Sequence, residues 1–306
     1  MGTTLKDFVQ QNKVVIHLGA HKTATTYIQS SLKAQRDALK SAGVALVLPS
    51  DLRATGVLRR TFRKSGGAIS ASSPDPDKPT LGTLLDRIAA DPATRRIAIS
   101  EESMIGAPRK NLACKSLYPD MDQSLRAMPD AFDHPNATFL LALRDYGSFV
   151  SSNITTAVRR GNIFDLDALR AAFLALHRDW MDVIDDLQEA FPTATIKVWR
   201  FEQFHALESQ VFRAFTQGPV TPRSTRVFKT LSGNAMTYIL DHVEPKSEQV
   251  RIRELVLAAA KKFPVSVDNP PFDLWSAEQA AHMTYRYELD WHEICKAYPG
   301  IALGSD

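Results

Sequence analysis

The chain is poor in cysteine and has no long apolar run. Cys114 and Cys295 are its only cysteines, and their spacing is not that of a metal site. This pattern excludes a disulfide framework and favours a reducing cytosol as the location. Because no run of about 18 apolar residues occurs, we expect no membrane-spanning helix.

Targeting signals and a strong charge of one sign are also missing. The first residues lack the apolar centre of a secretory signal peptide. Lys6 stands where the myristoylation pattern needs Ser or Thr. Both absences agree with a cytoplasmic protein. The net charge of +3 suits small anionic ligands and gives no reason to expect nucleic acid, which usually needs a clustered basic face.

What the sequence does contain is an alternation of short β-rich runs and longer helical patterns. This alternation predicts an α/β fold, with a central, mostly parallel sheet flanked by helices. No internal repeat is visible, and we interpret residues 1–306 as a single domain. The runs that predict strands are 14–18, 44–48, 96–100, 138–143 and 195–199.

Helical periodicity fills most of the remaining chain, and the C-terminal third is predicted to be helical. One amphipathic helix is expected over 25–41, and another along apolar residues from Phe173 to Phe191 with Asp165 as N-cap. Ser232 is the predicted N-cap of a helix through His242. The spacing of Ser276 and Gln279 predicts a capping box.

One stretch resembles a linker. Residues 64–80 are rich in Gly, Ser and Pro and poor in large apolar groups. They interrupt the α/β pattern, so we interpret them as a mobile loop rather than a domain boundary. A disordered insertion and a substrate gate are the two alternatives for this loop.

The most informative segment, residues 19–26, lies between a buried strand and an amphipathic helix. A helix N-terminus presents free N–H groups and the positive end of a dipole, so backbone amides here can bind an anion. Lys22 adds a positive charge, and three threonines add hydroxyl donors. The alternative is an ordinary β-to-α turn. The predicted anion-binding residues are Gly19, His21, Lys22, Thr23, Ala24, Thr25 and Thr26.

This loop is not a Walker A element, because that pattern needs glycines where the chain has His21 and Ile16. Instead, residues 17–29 (HLGAHKTATTYIQ) resemble the phosphosulfate loop of bacterial sulfotransferases, which reads HxGxHKTGTT followed by Ile-Gln. Ala24 replaces the usual glycine. Its methyl group could demand a negative φ or push the phosphate outward, which would affect donor affinity.

The resemblance implies a P-loop NTPase-like sulfotransferase fold. It also implies 3′-phosphoadenosine 5′-phosphosulfate (PAPS) as donor, adenosine 3′,5′-bisphosphate as product, and no metal. Arg144, at a strand end, and Ser152 have the spacing of the family's 3′-phosphate ligands, and a guanidinium fork matches phosphate oxygens. Tyr146 replaces the family's proline. Lys229 and Ser232 correspond to a further donor-binding segment.

A candidate base follows the predicted strand 96–100, where Glu101 and Glu102 lie at its carboxyl end. Adjacent side chains on an extended segment point in opposite directions, so one of the two should face the cleft. Motif register favours Glu102 as the base, with Glu101 and His21 as alternatives. Lys22 is expected to stabilise the leaving phosphate.

The acceptor is not encoded in any motif. We expect a hydroxyl or amine of a small molecule, sugar or lipid, bound by variable loops. The sequence predicts no nucleic-acid partner, and oligomeric state is left open. Two other functions compete with the sulfotransferase hypothesis: a kinase with a degenerate phosphate loop, and a non-catalytic nucleotide- or glycan-binding protein of the same fold.

Overall fold

The fold is built on a parallel β-sheet. A computed structural model describes residues 2–61, 79–218, 220–223, 230–244 and 248–304. Five strands pair in the order β2-β3-β1-β4-β5, and every pair is parallel. The strands are β1 (Lys13–Gly19), β2 (Val44–Val47), β3 (Arg96–Ser100), β4 (Ala137–Leu143) and β5 (Thr195–Arg200). The predicted α/β class and all five predicted strands are confirmed.

The apolar runs form strands because both faces of the sheet are covered. Side chains alternate between the two faces, so neighbouring residues of one strand enter different cores. Val14 and Ile16 of β1 belong to the larger core, whereas Val15 between them belongs to the smaller one. A strand buried on both sides therefore shows a continuous apolar run instead of alternation.

Helices cover the two faces. Before β4 they are α1 (Leu5–Val9), α2 (Thr25–Ala34), α3 (Arg36–Ser41), α4 (Pro49–Ala54), α5 (Val57–Thr61), α6 (Leu81–Ala89), α7 (Pro108–Cys114) and α8 (Met121–Arg126). After β4 they are α9 (Tyr146–Arg159), α10 (Leu166–Ala175), α11 (Trp180–Ala190), α12 (Phe204–Thr216), α13 (Gly233–His242), α14 (Gln249–Lys262) and α15 (Ala277–Ala297).

Two predicted helices are each divided in the structure. The helix expected over 25–41 is interrupted at Gln35, whose side-chain amide binds both backbone groups of Thr221. The long amphipathic helix ends at Leu176, which is left-handed with φ 37°, and restarts after Asp179, a new N-cap. The predicted continuity was wrong because apolar spacing survives a short break that tertiary contacts impose.

The C-terminal part is helical, as predicted. Ser232 caps α13 through the Ala235 N–H, and Ser276 forms the capping box of α15 with Gln279. Asp165 caps α10 as expected. No helix within the described ranges is long and apolar enough to cross a lipid bilayer. Apart from Pro79 and Thr80, the loop predicted at 64–80 lies outside the described residues.

The strand order places a crevice at the centre of the sheet. After β1 the chain turns to one side and reaches β2 beyond β3, whereas after β4 it turns to the other side and reaches β5. The two connections therefore diverge from neighbouring strand ends. Ligands of open parallel sheets bind at such a divergence, outside the carboxyl ends of the strands. Residues 19–26 follow β1 at this point, and Arg144 follows β4.

Candidate active site

The loop after β1 contains three residues with positive φ angles. These angles are 91° at Gly19, 67° at Lys22 and 62° at Ala24. A left-handed conformation costs an L residue roughly 1–2 kcal/mol, and glycine adopts it freely. The negative φ considered for Ala24 is therefore wrong, because the backbone there has the left-handed conformation that glycine favours.

The N-terminus of α2 is open to a ligand. Ala24 is its N-cap residue and supplies no side-chain hydrogen bond to the first turn. The amides of that turn are thus left without a capping side chain, and the helix dipole adds positive potential there. Left-handed backbone, as at Lys22 and Ala24, is typical of the nests of N–H groups that bind anions. This local geometry can hold an anion.

The threonines of the loop have different surroundings. Thr23 is buried, and its hydroxyl donates to the Ala20 carbonyl oxygen at 2.6 Å. The Thr23 hydroxyl proton is therefore used in a hydrogen bond within the loop and is not free to bind a ligand. Thr25 is also buried, whereas Thr26 is exposed. The predicted group of three hydroxyl donors is therefore reduced by one, and Thr23 serves to stabilise the loop.

Arg144 joins the end of β4 to this loop. Its Nη1 donates to the Lys22 carbonyl oxygen at 2.6 Å, and its Nε donates to Ser148 Oγ at 3.0 Å. The guanidinium lies 4.8 Å from the centre of the Phe201 ring. Trp180 Nε1 donates to the Arg144 carbonyl oxygen at 2.9 Å. Loop 19–26 and Arg144, the two predicted anion-binding elements (hereafter the two anchors), are thus in direct contact across 122 residues of chain.

Positive charge accumulates around the loop. Burial, followed by the charges of Arg144, Arg159 and Arg160, lowers the pKa of the Lys22 ammonium. Among the described residues, no ion pair involves Lys22, Arg144 or Arg160. Cations this close raise one another's free energy. The charges of Glu202 and Asp145 already face Arg144, and an anion bound at the loop would relieve the repulsion that remains around Lys22.

Glu102 lies against the loop, where Gly19 leaves room for it. A Cβ atom at Gly19 would stand 2.8 Å from the Glu102 Cβ, closer than side chains tolerate. Gln29 Nε2 donates to Glu102 Oε2 at 2.8 Å. Burial acts to raise the pKa of the Glu102 carboxyl, but hydrogen bonds from its own backbone and Gln29, with the charges of His21 and Arg53, lower it overall. Glu102 is therefore ionised at neutral pH.

Glu101 turns the other way and is fully buried. Its Oε1 accepts from the Ser103 N–H at 3.0 Å and pairs with Arg53 at 3.3 Å. Burial, followed by the charge of Glu102, raises the pKa of the Glu101 carboxyl. The two adjacent side chains point in opposite directions, as expected. Glu102 faces residues 19–26, called the phosphate loop below, and Glu101 serves as the N-cap of the following turn.

Two histidines flank this carboxylate, and both are buried. The His21 backbone N–H donates to the Tyr118 hydroxyl at 3.0 Å, and His21 Nδ1 lies 3.2 Å from the same oxygen. His17 lies within the sheet, with Nδ1 2.8 Å from Ser100 Oγ. Burial lowers the pKa of both imidazoles to about 4. Both rings are therefore neutral at physiological pH.

The other residues predicted to bind the sulfuryl donor lie in different parts of the structure. Ser152 lies half-buried on α9. The Ser232 hydroxyl donates to the Phe263 carbonyl oxygen at 2.7 Å and caps α13, so it is used within the helical C-terminal region. Lys229 lies outside the described residues. The next residue, Thr230, donates to Thr155 Oγ1 at 3.3 Å, which places its segment beside the helix that carries Ser152.

Sequence reasoning missed three contributors to the site. Gln29 belongs to the quoted motif but had no assigned role. No motif singles out Tyr118 or Phe201. A period of three to four residues along α2 could have placed Gln29 on the sheet side, near the end of β3. Nothing in the sequence brings Tyr118 to His21, because 97 residues separate them.

Other parts of the described chain show no comparable cluster. No three His, Cys, Asp or Glu side chains within the described ranges come together as metal ligands. One surface cavity, of about 160 Å³, is lined by residues of α13 and α14, and another, of about 350 Å³, lies beside Thr61 and Met128. Neither includes a residue of the phosphate loop. Compared with models of protein families and with curated proteins, the chain matches none.

Proposed function

We propose that the protein is a sulfotransferase that transfers a sulfuryl group from PAPS to a hydroxyl or amine of an acceptor. The main support is the contact between the two anchors, in which Arg144 donates to the Lys22 carbonyl oxygen at 2.6 Å. This contact brings the cations of both anchors to one loop of left-handed backbone. A donor with phosphates at two positions needs such a paired cationic site, whereas a single phosphate does not.

The donor fits the site as follows. The loop amides and Lys22 hold the 5′-phosphosulfate, and Arg144 with Ser152 binds the 3′-phosphate. His21 adds a donor: the Tyr118 hydroxyl accepts from the His21 backbone N–H and can donate to Nδ1, which leaves the single ring proton of the neutral imidazole on Nε2. Lys22 lies where negative charge develops on the departing phosphate oxygen, the most effective position for a fixed cation.

Glu102 is the base in this proposal. The acceptor oxygen attacks sulfur, the bond between sulfur and the bridging oxygen breaks, and its electron pair stays on the phosphate. The acceptor proton passes to Glu102, which leaves adenosine 3′,5′-bisphosphate and a sulfated acceptor. Glu101 is less suitable because it is fully buried and its Oε1 is occupied by Arg53 and the Ser103 N–H. His21 is less suitable because its Nδ1 lies 3.2 Å from the Tyr118 hydroxyl and its Nε2 carries the ring proton.

The acceptor is proposed only as a class: a small molecule, carbohydrate or lipid with a nucleophilic hydroxyl or amine. The half-buried aromatic Phe272 lies in the loop before α15, and the turns on either side of α7 lie within the segment from Gly106 to Tyr118; acceptor pockets are usually built from such connecting segments. A cytoplasmic location belongs to the same proposal, because PAPS chemistry of this kind needs no oxidising compartment.

A thermal-shift comparison tests the donor. Adenosine 3′,5′-bisphosphate at about 100 times its Kd should stabilise the protein by about 2.7 kcal/mol. ATP with Mg²⁺ should stabilise it much less. Lys22→Ala and Arg144→Ala should remove the ligand-induced shift, whereas the exposed Lys33→Ala and Arg126→Ala should preserve it. A larger shift with ATP and Mg²⁺ would support the kinase alternative instead.

Turnover tests the reaction itself. With PAPS and a panel of hydroxyl and amine acceptors, mass spectrometry should detect a sulfated product. Lys22→Ala and Glu102→Gln should each abolish it, but Glu102→Gln should still bind adenosine 3′,5′-bisphosphate. Full activity in either variant removes that residue from the catalytic role. Donor binding without turnover across the panel would support the non-catalytic alternative.

A further inference from the structure

Gln29 connects the candidate base to the interior of the sheet. Its Nε2 lies 2.8 Å from Glu102 Oε2 and 3.3 Å from Ser100 Oγ. The residue lies on the second turn of α2, the helix that begins at the phosphate loop. One amide group therefore contacts both the carboxylate and the last residue of β3.

The network continues into a rigid part of the core. Ser100 pairs directly with His17 in the register of β3 and β1, and both residues are fully buried. The His17 ring is held between Trp199, stacked at 5.9 Å, and Phe215, edge-on at 5.2 Å. Because these rings fix His17, the Ser100 hydroxyl has a fixed partner and in turn fixes the Gln29 amide.

We propose that Gln29 is a positioning residue, which holds the Glu102 carboxylate against the phosphate loop in its ionised form. The catalytic part of this inference rests on the proposed function. The amide donates and never accepts the acceptor proton, so Gln29 acts only through Glu102. A carboxylate that receives a fixed hydrogen bond stays charged and keeps its orientation, and both are needed of a base.

Other charged or titratable groups also face Glu102, so the effect of Gln29 must be separated from theirs. They come from the phosphate loop, β1, α4, the adjacent residue and the loop after α7. These groups are His17, His21, Arg53, Glu101 and Tyr118. A substitution at Gln29 leaves all of them in place, which makes it a specific test.

The variant Gln29→Met keeps the length of the side chain and removes the hydrogen-bond donor. Gln29→Glu keeps the shape but places a like charge beside Glu102. The control is Gln188→Met on α11, whose Nε2 donates to the Pro192 carbonyl oxygen away from the site. Ser100→Ala is a second variant, since it removes the anchor of the amide and leaves the Glu102 contact available. Far-UV and near-UV circular dichroism establish that each variant is folded.

The first measurement is an NMR titration of ¹³C-labelled Glu side chains, with the Glu102 signal assigned by its loss in Glu102→Gln. Gln29→Met should raise the pKa of the Glu102 carboxyl, Gln29→Glu should raise it further, and Gln188→Met should leave it unchanged. This titration needs no substrate. An unchanged Glu102 titration in Gln29→Met overturns the positioning role, whatever reaction the protein catalyses.

The second measurement is the pH profile of sulfate transfer. In Gln29→Met, kcat should fall about 10- to 100-fold, the usual effect of a misplaced catalytic group, and its acid limb should move to higher pH. The KM for PAPS should not change, because the donor contacts are intact. A fall in kcat with no movement of the acid limb overturns the proposal. If wild-type protein shows no transfer while the Glu102 titration responds as expected, the proposed function fails and the contact between Gln29 and Glu102 stands.

Discussion

Replacing Ala24 by glycine should stabilise the protein, which is the reverse of the usual effect of this substitution. Ala24 has φ 62° and ψ 15°, in the left-handed region. Its methyl group makes that conformation unfavourable, and glycine adopts it without strain. Since the residue already has the backbone of a glycine, Ala24→Gly should leave the loop in place and remove only the strain.

The size of the effect follows from two opposing contributions. Relief of the left-handed conformation is worth roughly 1–2 kcal/mol. The greater freedom of glycine in the unfolded chain removes about 0.4–1 kcal/mol of this gain. The net stabilisation should therefore be about 0.5–1 kcal/mol. A matched control is Ala258→Gly, an exposed position inside α14. There the same change should destabilise by about 1 kcal/mol.

Urea denaturation of the two variants and the wild type measures both effects. The free energies of unfolding should differ between the variants by about 1.5–2 kcal/mol, with opposite signs relative to wild type. The affinity for adenosine 3′,5′-bisphosphate should stay at the wild-type value in Ala258→Gly, which lies outside loop 19–26. If Ala24→Gly destabilises as much as Ala258→Gly, the left-handed strain assigned to this loop does not exist.

Two further predictions concern packing and charge. Gly19→Ala should destabilise by about 2–4 kcal/mol in urea denaturation, because it adds left-handed strain and a clash with Glu102; wild-type stability would refute the close approach. Asp290 is a buried acceptor for the Tyr146 hydroxyl, and burial raises the pKa of its carboxyl to about 6. The protonated carboxyl is the form that the fold favours, so its stabilising contribution is present below about pH 4 and is lost as the pH rises through 6. Asp290→Asn should therefore be more stable than the wild type by ~1–3 kcal/mol at pH 8 and differ little from it at pH 4. A pH-independent difference would contradict this assignment.

The strands and the class of fold were predictable because burial on both faces leaves a direct trace in sequence. Val14 to Leu18 are apolar at every position except His17, and only a strand between two covered faces needs that. The break at Gln35 was not predictable, since it depends on a contact with Thr221, 186 residues away. Local periodicity carries no information about such a partner.

The candidate site was predictable in its parts but not in its assembly. The loop and Arg144 could be found from motif spacing. Strand alternation predicted that one of Glu101 and Glu102 faces the cleft, and motif register favoured Glu102. The role of Thr23 was misjudged, because the sequence shows a hydroxyl but not its acceptor, the Ala20 carbonyl oxygen. The contacts of Gln29 with Ser100 and Glu102 depend on the pairing of β3 with β1. No single segment of the sequence predicts that strand order.

The central position of β1 has a consequence for the chain during synthesis. β1 is made before both of its neighbours in the sheet, β3 and β4, which end at Ser100 and Leu143. Until residue 143 has left the ribosome, at least one edge of an apolar strand is unpaired and open to other nascent chains. Closure of that edge also brings Arg144 to Lys22. Pairing of β4 with β1 therefore covers the exposed edge of β1 and, in the same step, forms the contact between Arg144 and Lys22.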